Sequence, residues 1–401
     1  MTPSSPVRRR HVFYVCGFDP NGPSRYHKLY SDGARQASAA GEATIDVGPR
    51  TRVDPRTMAW KLRHRQPGPA DASLETQTEY VFPRWDDIIR DYWWQAQWPQ
   101  VTDLLKTSWL YLRTGALWRI FRQSRGVFTS SFAPFFLLVV MIPGAAAGLW
   151  ALIALGLAWR SGGPLAMPAV DVGLAATLGA WWAYWARRYW KTQWILRSYA
   201  FAGRLSLGRV PELGPRLDAM AAEICRQAKT ATDDEILVVG HSLGTVLSAS
   251  VLARAFRQDP DLARHGPAIG LLTLGHCTPL LSNLPGATDF RADLAVLAQR
   301  TDFCWVDFSD PMDDYAFPGV DPLRAAGVQA VRPGHPQMKS PHFERLFAPG
   351  PDRMPAMNQH EIHQEYLRPA RAAQAPGGYD FFAITAGPLR LAERYSAPET
   401  R

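Results

Sequence analysis

Apolar positions along this chain fall into two repeating patterns. Short runs in which apolar residues cluster or alternate with polar ones occur at 11–16, 43–47, 76–82, 236–240, 268–274, 303–308 and 379–385. They are rich in β-branched and aromatic residues and are bounded by Gly, Pro, Asp or Asn, which predicts buried strands. Between them, stretches of helical spacing or helix-forming composition lie at 24–40, 85–98, 217–228 and 246–256. Strands alternating with helices predict an α/β fold built on a mostly parallel sheet.

A third pattern interrupts the alternation. Residues 132–159 carry no charge, and 172–186 are again free of charge. A helix rises ~1.5 Å per residue and about 20 residues cross a bilayer core. Two apolar helices, about 132–159 and 170–189, are therefore expected as an inserted transmembrane helical hairpin, the second spanning only by reaching with its flanks. Thirteen of the fifteen tryptophans lie between Trp85 and Trp194, and tryptophan favours membrane–water interfaces. In the preceding stretch, Leu105, Trp109, Leu112 and Ala116 recur at helical spacing among Lys106, Arg113, Arg119, Arg122 and Arg125, as in a basic interfacial helix.

The expected organisation follows. Residues 1–10 are expected to form a polar, disordered lead-in. Residues 11–100 and 196–392 form the two parts of one α/β domain, 101–195 are a membrane-associated insertion, and 393–401 are a tail. Arginine and lysine flank the outer ends of both apolar runs, with only Arg160 between them. This places the protein in the cytoplasmic membrane with its catalytic domain on the cytoplasmic side.

Composition changes the picture in two places. Net charge is +8 with a sequence pI near 9.4. The basic residues are scattered or flank apolar runs, and no nucleic-acid module is recognisable, so a lipid bilayer is the expected partner and nucleic acid is not. The cysteines, Cys16, Cys225, Cys277 and Cys304, are far apart and fit reduced thiols. No metal-ligand spacing occurs and no cofactor is called for. The apolar run at 12–16 is too short for the core of a signal peptide.

The candidate chemistry centres on Ile236-Leu237-Val238-Val239-Gly240-His241-Ser242-Leu243-Gly244-Thr245. A strand that ends in Gly-x-Ser-x-Gly and runs into a helix predicts a nucleophile elbow, with Ser242 on a strained turn and glycines where neighbouring chain must come close. The Leu243 amide at the helix N-terminus is expected to serve an oxyanion hole, and the early turn Gly17-Phe18-Asp19-Pro20 offers a second donor, the Phe18 amide. A serine hydroxyl needs a base, and the base needs a carboxylate. In the chain order of such hydrolases the acid follows the serine and the histidine follows the acid. This leaves Asp307, Asp310, Asp313 and Asp314, and then His335, His342, His360 and His363. Asp307 lies within a strand; Asp310 and Asp313 share the loop beyond it and are not separable from the residues alone. His241 is expected only to pack.

The strand order and Gly240-His241-Ser242-Leu243-Gly244 resemble the lipase-like serine esterase branch of the α/β-hydrolase superfamily. Pro311-Met312-Asp313, His363-Gln364-Glu365-Tyr366-Leu367 and Tyr379-Asp380-Phe381-Phe382 are similar to segments of a little-characterised bacterial, membrane-anchored group within it. The resemblance implies an α/β-hydrolase fold over 11–100 and 196–392 and a catalytic triad of Ser242, Asp313 and His363. Asp310, an extra carboxylate one turn earlier, departs from the pattern. The activity implied is cleavage of carboxylic esters, with lipid or other hydrophobic acyl esters as substrate. Acyl transfer by the same triad, or a non-catalytic membrane scaffold, are the alternatives.

Overall fold

The computed structural model describes residues 5–41, 43–68, 73–93, 97–130, 197–230, 232–264, 266–346, 357–370 and 378–395, with scattered positions between 144 and 194. Nine strands form one sheet: β1 (Arg9–Val15), β2 (Thr44–Val47), β3 (Thr51–Asp54), β4 (Thr57–Pro67), β5 (Ser73–Pro83), β6 (Glu235–His241), β7 (Ala268–Leu274), β8 (Cys304–Phe308) and β9 (Gln337–Lys339). Their order is β2-β4-β5-β1-β6-β7-β8-β9, with β3 paired to β4. From β5 through β9 every pairing is parallel; β2, β3, β4 and β5 pair antiparallel around β4. The sheet is thus mixed and mostly parallel.

The described helices that matter to the site are α1 (Pro23–Ala40), α2 (Asp86–Trp93), α3 (Gln97–Arg113), α4 (Ala116–Gln123), α5 (Leu213–Thr230), α6 (Gly244–Gln258), α7 (Thr288–Ala298) and α8 (Gln359–Gln364). Strand β6 is buried along its whole length, including Ile236, Leu237, Val238 and Val239. Each side chain of this size contributes roughly 1.5–3 kcal/mol when fully buried, so four in succession fix β6 at the centre. Helix α6 leaves β6 after the serine turn and is buried nearly throughout. A second, smaller apolar cluster joins Tyr111, Ala116 and Ile120 of α3 and α4 to Tyr199, Leu280, Leu284 and Phe317.

The register aligns strand ends. Val15 pairs with Gly240, Gly240 with Thr273, and Leu274 with Phe308. The chain therefore leaves β1, β6, β7 and β8 at the same edge of the sheet, which gathers residues 16–18, 242–243, 275–277 and 309–313. In parallel sheets this carboxyl edge is where loops converge on ligands.

Three expectations are corrected. The inserted transmembrane hairpin is not supported: among the described residues no helix is long and apolar enough to cross a membrane. Most of 132–159 and 170–189 lies outside the described residues. The cytoplasmic-membrane placement and the membrane anchor rested on that hairpin and fall with it. The run at 379–385 is not a strand. It forms a helix, Phe381–Ala386, because the Asp380 carboxylate accepts from the Phe382 and Ala383 amides and caps its start. Between the expected strands at 43–47 and 76–82, where none was expected, lie β3 and β4.

Candidate active site

Ser242 follows β6 directly and has φ 58°, a left-handed conformation that a residue with a Cβ adopts only under constraint. The constraint is visible on both sides. The Ser242 amide donates to the Leu274 carbonyl at 2.9 Å, and the Ser242 carbonyl accepts from the Thr245 amide at 2.9 Å. A Cβ at Gly244 would lie 2.2 Å from the Val15 carbonyl oxygen, and one at Gly240 would lie 2.2 Å from Ser248 Oγ. Only glycine lets the helix start this close to β1 and the turn fold this tightly.

The acid and the base meet across a long sequence separation. The buried His363 Nδ1 donates to the buried Asp313 Oδ2 at 2.7 Å. That bond puts the proton on Nδ1 and leaves the lone pair on Nε2, the tautomer a general base requires. His363 Nε2 is buried and has no hydrogen-bond partner among the described residues. The Ser242 hydroxyl lies 3.9 Å from Cys277 Sγ; burial pushes that thiol up to about 12, so it stays protonated beside the serine.

Asp313 and Asp310, inseparable in sequence, have different work. Asp313 Oδ1 accepts from the Tyr315 amide at 2.9 Å, and its Oδ2 accepts from His363 and from the Tyr366 hydroxyl at 3.1 Å. Asp310 faces away. It accepts from the Met312 amide at 3.0 Å, the Ser340 hydroxyl at 3.1 Å and the Phe343 amide at 2.9 Å, tying its loop to the chain beyond β9. Tyr366 bridges the two, since its oxygen also accepts from the Asp310 amide at 2.9 Å. Asp307 is held by Thr273 at 2.6 Å and Ser309 at 2.9 Å. The Asp314 amide donates to Gln359 at 2.9 Å, and burial raises its carboxyl above the usual range.

Among the histidine candidates, His335 packs edge-on to Phe303 and Trp305 in the core, and His342 is exposed beside Glu344 at 3.2 Å. His360 lies one turn before His363 on α8, against the Trp194 ring. Helix α8 begins with a capping box between Asn358 and Glu361, which fixes the start of the turn carrying both.

Three residues support the site that sequence reasoning did not place there. His241 does pack, but on His363: the ring centroids are 4.9 Å apart, and His241 Nε2 donates to the His363 carbonyl at 2.8 Å. Burial holds the His241 imidazole well below its ordinary value, so it stays neutral. Tyr366, three residues beyond His363, is at helical spacing from it and was legible in principle. Trp194 was not, because nothing local marks it. Its ring lies 5.6 Å from His363, and its Nε1 donates to the Phe18 carbonyl at 2.6 Å.

The turn expected to supply the second oxyanion donor passes close to the serine at Gly17. A Cβ at Gly17 would meet Ser242 Cβ at 2.8 Å and Oγ at 3.3 Å, so the Gly17-Phe18 backbone passes against the nucleophile. Asp19 holds this turn: its carboxylate accepts from the Asn21 amide at 2.9 Å and from Tyr26 at 3.2 Å, and it pairs with Arg25. The Phe18 ring is buried among Trp85, Trp93 and Phe201. Leu243 is the residue before α6, so its amide opens the first turn of that helix. A cavity of about 350 Å³ opens beside Ser242 and His241.

In comparisons with known proteins, no family model, no curated protein and no solved structure matches the chain.

Proposed function

We propose that the protein is a serine hydrolase of the α/β-hydrolase type that cleaves carboxylic esters. The observation that carries this reading is the Asp313–His363 hydrogen bond at 2.7 Å, with His363 Nε2 unpartnered among the described residues, at the sheet edge where Ser242 is held at φ 58°. In this reading His363 Nε2 takes the Ser242 proton while Oγ bonds to the ester carbonyl carbon. The oxyanion that forms is met by the Leu243 and Phe18 amides. The bond to the alcohol oxygen then breaks, and His363 returns its proton to that oxygen. Water attacks the acyl-enzyme in the same way, releasing the acid and restoring Ser242. Asp313 keeps the proton on Nδ1 and stabilises the imidazolium. His241 and Trp194, whose rings pack on His363, help to hold it in place. The Ser242 hydrogen bond to His363 is made as substrate enters, since catalytic contacts commonly tighten only in the complex.

The test is hydrolysis of p-nitrophenyl butyrate by the purified chain and by Ser242→Ala. Turnover is expected in the first and a loss of about 10³-fold or more in the second. Equal turnover by both would remove Ser242 from the mechanism.

A further inference from the structure

Trp194 bears on three parts of the site at once. Its Nε1 donates to the Phe18 carbonyl at 2.6 Å. Its ring centroid lies 5.6 Å from that of His363, 5.0 Å from that of His360 and 5.6 Å from that of Tyr315. The Tyr315 amide in turn donates to Asp313 at 2.9 Å. One side chain thus touches the oxyanion turn, the helix of the base and the loop of the acid, and it lines the cavity beside Ser242. Yet it lies outside residues 11–100 and 196–392, to which the resemblance assigned the hydrolase domain.

The hold on the oxyanion turn can be followed peptide by peptide. The peptide joining Phe18 to Asp19 is fixed on both sides. Its carbonyl accepts from Trp194, and its amide, that of Asp19, donates to the Gly17 carbonyl at 2.8 Å. The Gly17 carbonyl belongs to the preceding peptide, whose amide is that of Phe18. A trans peptide keeps its C=O and N–H on opposite sides. Turning the Gly17 carbonyl toward Asp19 therefore turns the Phe18 N–H the other way. The Asp19 side chain anchors the same turn to Asn21 and to Tyr26 of α1. Trp194 anchors it toward α8 and His363.

An oxyanion donor is effective when its direction is set before the charge develops. Resting on the ester-hydrolase reading above, we infer that Trp194 is a positioning residue for the reaction: its indole N–H sets the direction of the Phe18 amide, and its ring ties that turn to His363. Donor and base are then held in register by one side chain. The benefit belongs to the transition state, because the ester in its ground state carries no oxyanion.

The test is Trp194→Phe, which keeps a ring beside His363 and removes the N–H. Active sites are counted by fluorophosphonate titration, and the substrate is p-nitrophenyl butyrate. We expect kcat per titrated site to fall about tenfold or more while KM stays nearly unchanged. Inhibition by n-butylboronic acid, whose tetrahedral adduct on Ser242 places an oxygen in the oxyanion hole, should weaken by a similar factor. An inhibition constant does not depend on how much of the enzyme is folded, so a purely structural role for Trp194 would leave it unmoved. Unchanged kcat per site overturns the inference, as does a loss of kcat that the boronic acid does not share. Trp194→Met supplies the same comparison where Trp194→Phe yields no titratable site. Absence of both labelling and turnover in the natural chain would instead strike the hydrolase reading and take this inference with it.

Discussion

The β6–α6 turn and the α3–α4 pair are both apolar-rich stretches, and the protein treats them in opposite ways. From Glu235 to Ala253 every residue is buried. On α3 and α4, Trp109 is 62% exposed, Trp118 61%, and Leu112 56%, while Tyr111, Ala116 and Ile120 on the other face are fully covered. Apolar content states what a segment could bury. What covers it depends on neighbours distant in sequence: β6 lies between β1 and β7 under α6, whereas α3 and α4 meet the domain along one stripe. Sensitivity to substitution should follow that difference.

The largest effect is expected where burial and chemistry coincide. Asp313→Asn leaves His363 without a carboxylate and should lower kcat/KM about 10⁴-fold. Asp310→Asn puts an N–H where the Phe343 or Met312 amide needs an acceptor. It should cost roughly 1–3 kcal/mol of stability with a far smaller loss of turnover. Steady-state kinetics and urea unfolding of the two variants separate the roles, and greater catalytic damage from Asp310→Asn would reverse them.

Next comes the backbone of the elbow. Gly244→Ala would drive a methyl into the Val15 carbonyl, so a loss at the upper end of the about 1–3 kcal/mol typical of overpacking is expected, read as a lower urea midpoint. A neutral outcome would mean that β1 and α6 are not so closely apposed.

Acid should weaken the sheet without help from α3 or α4. Burial lowers His11, His64 and His335 each from 6.5 to about 4, and holds His241 well below its ordinary value. Below about 6.5 the unfolded chain binds protons that the folded chain does not. The stability these neutral imidazoles confer is therefore complete above 6.5 and is lost as pH falls toward about 4. The urea midpoint should drop steadily from pH 7 to pH 5; a flat profile would mean these rings are accessible to protons in the folded state. The smallest effect is expected at Trp109→Ser, within about 0.5 kcal/mol of the natural chain. A large loss there would show that the exposed face is covered.

The parts of the fold legible in sequence were those whose signal is local. Gly240, Ser242 and Gly244 announce the turn, and the runs at 268–274 and 303–308 announce β7 and β8. Strand β4 escaped because His64 occupies a buried position between Arg63 and Arg65, so the alternation reads as a basic stretch. The run at 379–385 misled because a short apolar segment has no period of its own, although Asp380 at its head was a cap signal. In the site, Ser242 was legible from its motif, but Asp313 was distinguished from Asp310 by contacts with Tyr366 and Phe343 that no spacing encodes. Trp194 reaches His363 from a tryptophan-rich stretch in which nothing sets it apart. That same stretch suggested a membrane hairpin because hydropathy reports apolarity alone.

The most direct test of Ser242 as an activated nucleophile is reaction of the full chain with a fluorophosphonate probe, followed by mass mapping of the adduct. We expect a single adduct on Ser242, absent in Ser242→Ala and formed far more slowly in His363→Ala and Asp313→Asn. An adduct elsewhere, or one on Ser242 that forms at the same rate without His363, would contradict the triad.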